Sequence, residues 1–123
     1  MGSKELKQKK TGSYCRTRGH SFEREVAILF RELYPKARRG LQYQDGEFAA
    51  DVEGTTFRIE CSRGHSQNIK VKWVQVLGDA KKANDKRCCL VVKKWDRMDA
   101  VVTLKLEDFL NILRSDLRQA NRG

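Results

Sequence analysis

Three carboxylates are the residues of this 123-residue sequence best placed to do chemistry. Glu23 lies in GHSFERE, while Asp51 and Glu60 flank the turn-like segment EGTT in AADVEGTTFRIECS. A symmetric turn there places Asp51 opposite Arg58, with Glu60 one diagonal step away on the same sheet face. Diagonal neighbours are close enough to share one ion, and Mg²⁺ prefers such oxygen ligands. The spacing therefore allows a magnesium site, and a solvated acid pair bridged by Arg58 is the alternative.

Three amphipathic helices and four strands are predicted to position these acids. Apolar residues recur at helical spacing along residues 21–34, 69–84 and 106–117. A β-hairpin is predicted over residues 48–62, and the β-branched runs CCLVV and AVVTL predict two further strands. The order α-β-β-α-β-β-α indicates an α/β (α+β) fold, a mixed sheet flanked by helices.

Length and charge limit the classes of protein and partner. The chain has the length of one domain, which we expect at residues 21–118, with a tail at 119–123. Residues 1–20 are predicted to be a flexible basic arm. The 26 Lys and Arg against 16 Asp and Glu, a net charge of +10, favour a polyanionic partner. No apolar run resembles a membrane span or secretory signal, so we expect a cytoplasmic protein without a membrane partner.

The cysteines show neither a CxxC pair nor a histidine at zinc-like spacing. Two of them are adjacent within the apolar run CCLVV. We therefore expect reduced and mostly buried thiols at Cys15, Cys61, Cys88 and Cys89.

The segments GHSFERE, AADVEG and FRIECSRG, in this order and spacing, resemble the PD-(D/E)XK nucleases. Within that superfamily they are most similar to Holliday junction resolvases of the archaeal type and small resolvase-like nucleases of phages. The resemblance covers about residues 18–113. It implies a restriction-endonuclease-like fold and a two-fold homodimer. It also implies hydrolysis of branched DNA with Mg²⁺, for which Mn²⁺ can substitute, and no small-molecule cofactor. It assigns Glu23, Asp51 and Glu60 to the catalytic site and Asp51, Glu60 and the Cys61 carbonyl to the metal.

Ser62 stands at the catalytic position where this family has lysine. The lysine holds or polarises water and offsets charge on the phosphate, which a neutral hydroxyl does poorly. Three explanations stay open: an engineered inactivation, a natural loss of activity, or a lysine from another element. Lys70 is the preferred replacement because it borders the apolar stripe of the second predicted helix, and Lys72 lies on its other flank.

Two other functions remain open at this point. A catalytically inactive nucleic-acid-binding protein with the nuclease fold is favoured by Ser62. A ribosomal or RNA-binding module fits the charge but gives no reason for Asp51 and Glu60 to share a face. Phosphate contacts are expected from basic residues around the site and in the arm, with exposed loop positions as the alternative for the arginine pair in KARRG. These predicted DNA-binding residues are Arg16, Arg18, Arg38, Arg39, Arg63, Lys70 and Lys72.

Overall fold

The computed structural model describes residues 20–64 and 68–122. Within these ranges the chain forms a mixed five-stranded sheet and four helical segments, which confirms the predicted mixture of helices and sheet. No helix among the described residues is long and apolar enough to cross a membrane. The predicted arm, with Arg16 and Arg18, lies outside the described residues except for residue 20. The elements are α1 (residues 20–30), β1 (Arg38–Arg39), α2 (Gln42–Asp45), β2 (Val52–Glu53), β3 (Phe57–Arg63), α3 (Ile69–Lys82), β4 (Cys88–Lys94), β5 (Val101–Thr103) and α4 (Leu106–Arg122).

The strands lie side by side in the order in which they occur along the chain. β2 runs antiparallel to both β1 and β3, and β5 runs antiparallel to β4. β3 and β4 are parallel, so a crossover must join them, and α3 is that crossover. Their register places Ser62 beside Lys93. The carboxyl ends of β3 and β4 therefore meet at one edge of the sheet.

The hydrophobic core has two layers, one on each face of the sheet. Alternate residues of β4 belong to different clusters, as expected for a strand buried on both faces. The cluster under α1 contains Phe22, Val26, Ala27, Val52, Ile59, Leu90 and Val92. The cluster under α3 contains Val76, Ala80, Cys89 and Val91, with Trp73 packed against it. Cys61, Cys88 and Cys89 are free thiols, as predicted, but only Cys89 is buried and the other two are half-buried. Cys15 lies outside the described residues.

The hairpin register differs from the prediction by two residues. Val52 pairs with Ile59, so this register brings Asp51 opposite Glu60, whereas the symmetric turn placed it opposite Arg58. The connection is wider because Gly54 adopts a positive φ of 87° and the Thr55 hydroxyl bonds to the backbone of Phe57. β2 is also only two residues long. A shift of two residues leaves every side chain on the same face of the sheet. Asp51 and Glu60 therefore share a face as predicted, although the predicted register was wrong.

Two elements occur where a polar connection was predicted. β1 and the short helix α2 occupy the segment between α1 and β2. Asp45 ties them together, because both of its oxygens accept hydrogen bonds from Arg38, at 2.6 and 2.8 Å. The same carboxylate accepts from the backbone N–H of Leu41. Side-chain pairing therefore orders a segment whose hydrophobicity pattern predicted neither element.

Two predicted apolar stripes are only partly buried or not buried at all. α1 ends at residue 30, earlier than the predicted Tyr34, and Leu29 and Leu33 are exposed. α4 forms as predicted but contains no buried residue. Periodicity shows which residues share a helix face, but it does not show whether another element covers that face.

Candidate functional site

Three separate segments bring Glu23, Asp51 and Glu60 to one end of the sheet. Glu23 lies near the start of the described part of α1, Asp51 directly precedes β2, and Glu60 lies on β3. The Asp51 and Glu60 carboxyl groups share a hydrogen bond, and the charge of Asp51 also acts on Glu23. The second Asp51 oxygen, Oδ2, accepts from the Cys61 backbone N–H at 2.8 Å. The structure thus brings the three predicted acids together.

The backbone around Asp51 is held by a close approach of β1. The Gly40 N–H donates to the Asp51 carbonyl at 2.8 Å. A Cβ atom at Gly40 would lie 1.8 Å from the Ala50 carbonyl oxygen, so no larger residue fits without moving the backbone. A cleft of about 450 Å³ opens beside this contact, lined by Glu23, Asp51, Arg39, His20 and Tyr43 among others. Glu23 and Asp51 therefore face a solvent-accessible cleft, whereas Glu60 lies buried behind them.

The polar face of β3 is buried, because α3 packs over it. Arg58 is 2% exposed and Glu60 is 6% exposed. Their side chains pair at 3.1 Å between Nη2 and Oε1, and Arg58 also contacts Asp85 and the Phe48 carbonyl. Glu60 is therefore paired with Arg58, as the alternative interpretation held, but it is not solvated. Asp51 is half-buried.

The acids shift one another's protonation. Burial and then the charge of Asp51 raise the pKa of Glu23. Burial, followed by the charge and the hydrogen bond of Asp51, raises the pKa of Glu60 to about 8, against the opposing charge of Arg58. Burial also raises the pKa of the Cys61 thiol. This crowding of negative charge is relieved by a proton or by a cation.

Lys70 and Lys72 of α3 were the two candidates to replace the lysine that is absent at position 62. The charge of Lys72 acts on the acids. Its positive charge lowers the pKa of Glu23, Glu60 and the Cys61 thiol, and its side chain is half-buried. Lys70 is exposed. The helical wheel placed both residues on the flanks of α3, and only the packing of α3 on β3 distinguishes them.

Sequence reasoning missed Lys93, the residue beside Ser62 on β4. Lys93 is 2% exposed, and its Nζ donates to Ser62 Oγ at 3.1 Å and to the Gly64 carbonyl at 2.7 Å. The ammonium group also lies over the Trp95 ring, 5.4 Å from its centre. Burial lowers the pKa of Lys93. A buried lysine thus reaches the side chain of Ser62, where the resemblance predicts a lysine.

The signal for Lys93 in the sequence is weak. It follows the apolar run CCLVV directly, which suggests a strand end but not a partner. Its position beside Ser62 depends on the parallel register of β3 and β4, which a crossover of 24 residues between the strands (64–87) leaves unspecified.

The three predicted DNA-contacting arginines that lie within the described residues have partners within the chain. Arg38 binds Asp45, and Arg39 Nε donates to Glu23 Oε2 at 2.9 Å. Arg63 is exposed, with its guanidinium 5.9 Å from the centre of the Phe22 ring. Arg38 and Arg39 therefore organise α2 and Glu23, and contacts to phosphate remain predictions for all of these residues.

The three acids lie near one another, but they are not arranged as a finished metal site. Across residues 20–64 and 68–122, no group of three or more His, Cys, Asp and Glu side chains is arranged to hold a metal ion. Glu23 is paired with Arg39, and Glu60 with Arg58. The donor chemistry, three carboxylates and a nearby carbonyl, suits a hard divalent cation. The arginines occupy one oxygen each of Glu23 and Glu60, and Asp51 has no arginine partner among the described ion pairs.

We expect Glu60→Gln to remove part of the pH dependence of stability in the metal-free protein. Because the pKa of Glu60 is raised from 4.5 to about 8, the folded state keeps a proton that the unfolded chain releases. The free energy of unfolding of the wild type should therefore fall as the pH rises from about 5 to about 8. In Glu60→Gln this fall should be smaller by at least about 1 kcal/mol. Urea unfolding with EDTA at both pH values measures this, with the exposed Glu47→Gln as control. Equal pH dependence in the wild type and both variants would contradict it.

No family model, curated protein or solved structure matches this chain.

Proposed function

We propose that this protein is a divalent-metal-dependent endonuclease that hydrolyses phosphodiesters in branched DNA such as a four-way junction. The observation that carries the proposal is that Asp51 interacts with both Glu23 and Glu60, and that Glu23 and Asp51 line an open cleft. The order of the motifs that contain them supports it, since it resembles the resolvase-type PD-(D/E)XK nucleases. The net charge of +10 suits a phosphate backbone.

Each group has a role in this proposal. Asp51, Glu60 and the Cys61 carbonyl are the oxygen donors for Mg²⁺ or Mn²⁺, which when bound supplies Lewis acidity and a more acidic water. Glu23 lies where it can orient these groups through Asp51. Lys93, held on Ser62 and Gly64, supplies the positive charge that the family's lysine supplies at position 62. Lys72 adds a second positive charge near the acids.

A binding protein without catalytic activity is the second candidate. Two observations favour it: Ser62 in place of lysine, and the absence of a metal-ready group of side chains among the described residues. It would keep the basic surface and the fold while lacking cleavage.

Cleavage of a labelled four-way junction separates the two candidates. The full chain is incubated with the junction, or with linear duplex of the same sequence, in Mg²⁺, Mn²⁺ or EDTA. The proposal expects cuts in the junction with either ion, little cutting of duplex, and none in EDTA. Junction binding without cutting in either ion would overturn the nuclease proposal and support the binding protein.

We expect DNA affinity to fall steeply with salt, because a protein of charge +10 should bind largely by releasing counterions from phosphates. The junction should outcompete duplex at every salt concentration. Removing residues 1–12 should lower the slope of log K against log salt by a few units at most. Fluorescence anisotropy with EDTA measures both slopes. An affinity independent of salt, or equal competition by duplex, would contradict the prediction.

A further inference from the structure

The most exposed large hydrophobic side chain among the described residues stands at the cleft beside the acids. It is Tyr43 on α2, which is 81% exposed. Tyr43 lines the same cleft of about 450 Å³ as Glu23 and Asp51. An aromatic ring in this position loses the stabilisation that burial would give, unless a ligand in the cleft covers it.

Helix α2 belongs to neither core cluster, and none of its four residues is buried. Polar contacts hold it instead. The Asp45 carboxylate accepts two hydrogen bonds from Arg38, at 2.6 and 2.8 Å, and one from the Leu41 N–H at 3.0 Å. Ordering this segment costs conformational entropy that no buried side chain of α2 offsets. The contacts of Asp45 thus fix the position of Tyr43 while leaving its ring uncovered.

The cleft brings three kinds of chemical group together. Glu23 and Asp51 are acids of the proposed catalytic site, and Arg39 carries a positive charge. Tyr43 adds an aromatic face. A nucleotide combines the matching groups, a phosphate and a flat base, and every base has a face that can stack on an aromatic side chain. The cleft therefore suits a nucleotide whose phosphate lies at the acids and whose base reaches Tyr43.

A base can stack on Tyr43 only where one of its faces is free. Inside a linear duplex both faces of each base are covered by neighbouring bases, and opening that stack costs free energy. At the centre of an open four-way junction, the last base pair of each arm has an uncovered face. Stacking on Tyr43 would therefore favour a branch point over a continuous duplex.

We propose that Tyr43 stacks on a base at the branch point and so contributes to the discrimination of branched DNA from linear duplex. This inference rests on the branched-DNA substrate of the proposed function, but it requires neither a bound metal nor cleavage. It also gives α2 a role, since the helix holds a base-contacting ring beside the acids.

Binding of the full chain in EDTA tests the proposal, with a labelled four-way junction and a linear duplex of the same sequence. Tyr43→Leu replaces the ring by an aliphatic side chain and should lower junction affinity at least about fivefold, with duplex affinity unchanged. Tyr43→Phe keeps the ring and should bind the junction as the wild type does. Gln44→Ala is the matched control and should change neither affinity, because Gln44 is an exposed residue of α2 outside the lining of the cleft.

Photo-crosslinking of the wild type provides a second measurement that does not depend on the folding of a variant. 5-Iodouracil, placed in turn at each base of the branch point, reacts on irradiation with an aromatic side chain that stacks on it. Trypsin releases Tyr43 within residues 40–58, which also contain Phe48 and Phe57. We expect the cross-link at Tyr43, and fragmentation of the peptide identifies the residue.

Three outcomes would overturn the proposal: a Tyr43→Leu protein with wild-type junction affinity, an equal loss of junction and duplex affinity, or a cross-link elsewhere than at Tyr43. A loss in Tyr43→Phe as large as that in Tyr43→Leu would assign the effect to the hydroxyl and also overturn stacking. Failure of the two proposals is distinguishable. A protein that binds the junction through Tyr43 but does not cut it contradicts only the nuclease, and one that cuts while Tyr43→Leu binds normally contradicts only the stacking.

Discussion

Replacing Asp51 by Asn, or Glu60 by Gln, is expected to abolish metal-dependent cleavage of a four-way junction while leaving junction binding unchanged or tighter. Each change removes an oxygen charge that the proposed ion needs, and it also removes repulsion toward phosphate. We expect losses of at least about 10²–10³ in rate, as for removal of one preorganised electrostatic group. The measurement is single-turnover cleavage in Mg²⁺, paired with anisotropy binding in EDTA.

Two controls test whether a loss of cleavage arises from the acids of the site. Glu47→Gln removes an exposed acid of the same segment and should cleave as the wild type does. The melting temperature of each variant is measured beside its cleavage rate, because Glu60→Gln also removes a partner of the buried Arg58. Loss of cleavage by a variant that melts and binds the junction as the wild type does is then attributed to the site. Variants that lose folding and binding together with cleavage would instead indicate a structural role for the acids.

Lys93→Met should also lower cleavage about 10²–10³-fold, and adding Ser62→Lys to that variant should restore much of it. Lys93 Nζ lies 3.1 Å from Ser62 Oγ on the neighbouring strand, so a lysine at either position brings an ammonium group to the same region of the sheet. Met keeps the length of the side chain without its charge. Single-turnover rates of the two single variants, the double variant and the wild type form a complete cycle.

The single variant Ser62→Lys distinguishes a catalytic role for Lys93 from the alternative that serine at position 62 inactivates the enzyme. If Ser62 had disabled the enzyme, the single change would raise cleavage strongly. With Lys93 already in place, two ammonium groups would be forced together, so we expect little gain and a lower melting temperature.

Lys72 and Lys70, which both lie on α3, provide a test variant and its matched control. Lys72→Ala should reduce cleavage because its charge acts on Glu23 and Glu60, whereas the exposed Lys70→Ala should not. A Lys93→Met protein that cleaves normally, or a double variant that stays inactive while folded and bound to the junction, would rule out Lys93 as the substitute cation.

Local patterns in the sequence predicted the helices and strands and identified the three candidate acids, Glu23, Asp51 and Glu60. The 3.6-residue period predicted α3 and α4, the two-residue alternation predicted β3, and a β-branched apolar run predicted β4, because each pattern reflects the geometry of one segment. The sharing of a face by Asp51 and Glu60 was also predictable, since the strand alternation of side chains withstands a two-residue error in register. Glu23 was assigned to the site by the motif that contains it.

Only the tertiary structure decided which charges meet. The burial of Arg58 and Glu60 depends on α3 covering the polar face of β3, and strand alternation cannot show what lies above a face. Lys93 reaches Ser62 through the register of two parallel strands separated by a crossover helix. Arg38 and Arg39 bind acids that are distant from them in sequence or lie across a turn. Hydrophobic spacing records the preference of each segment for a buried face, whereas pairing of charges depends on long-range contacts that no single segment contains.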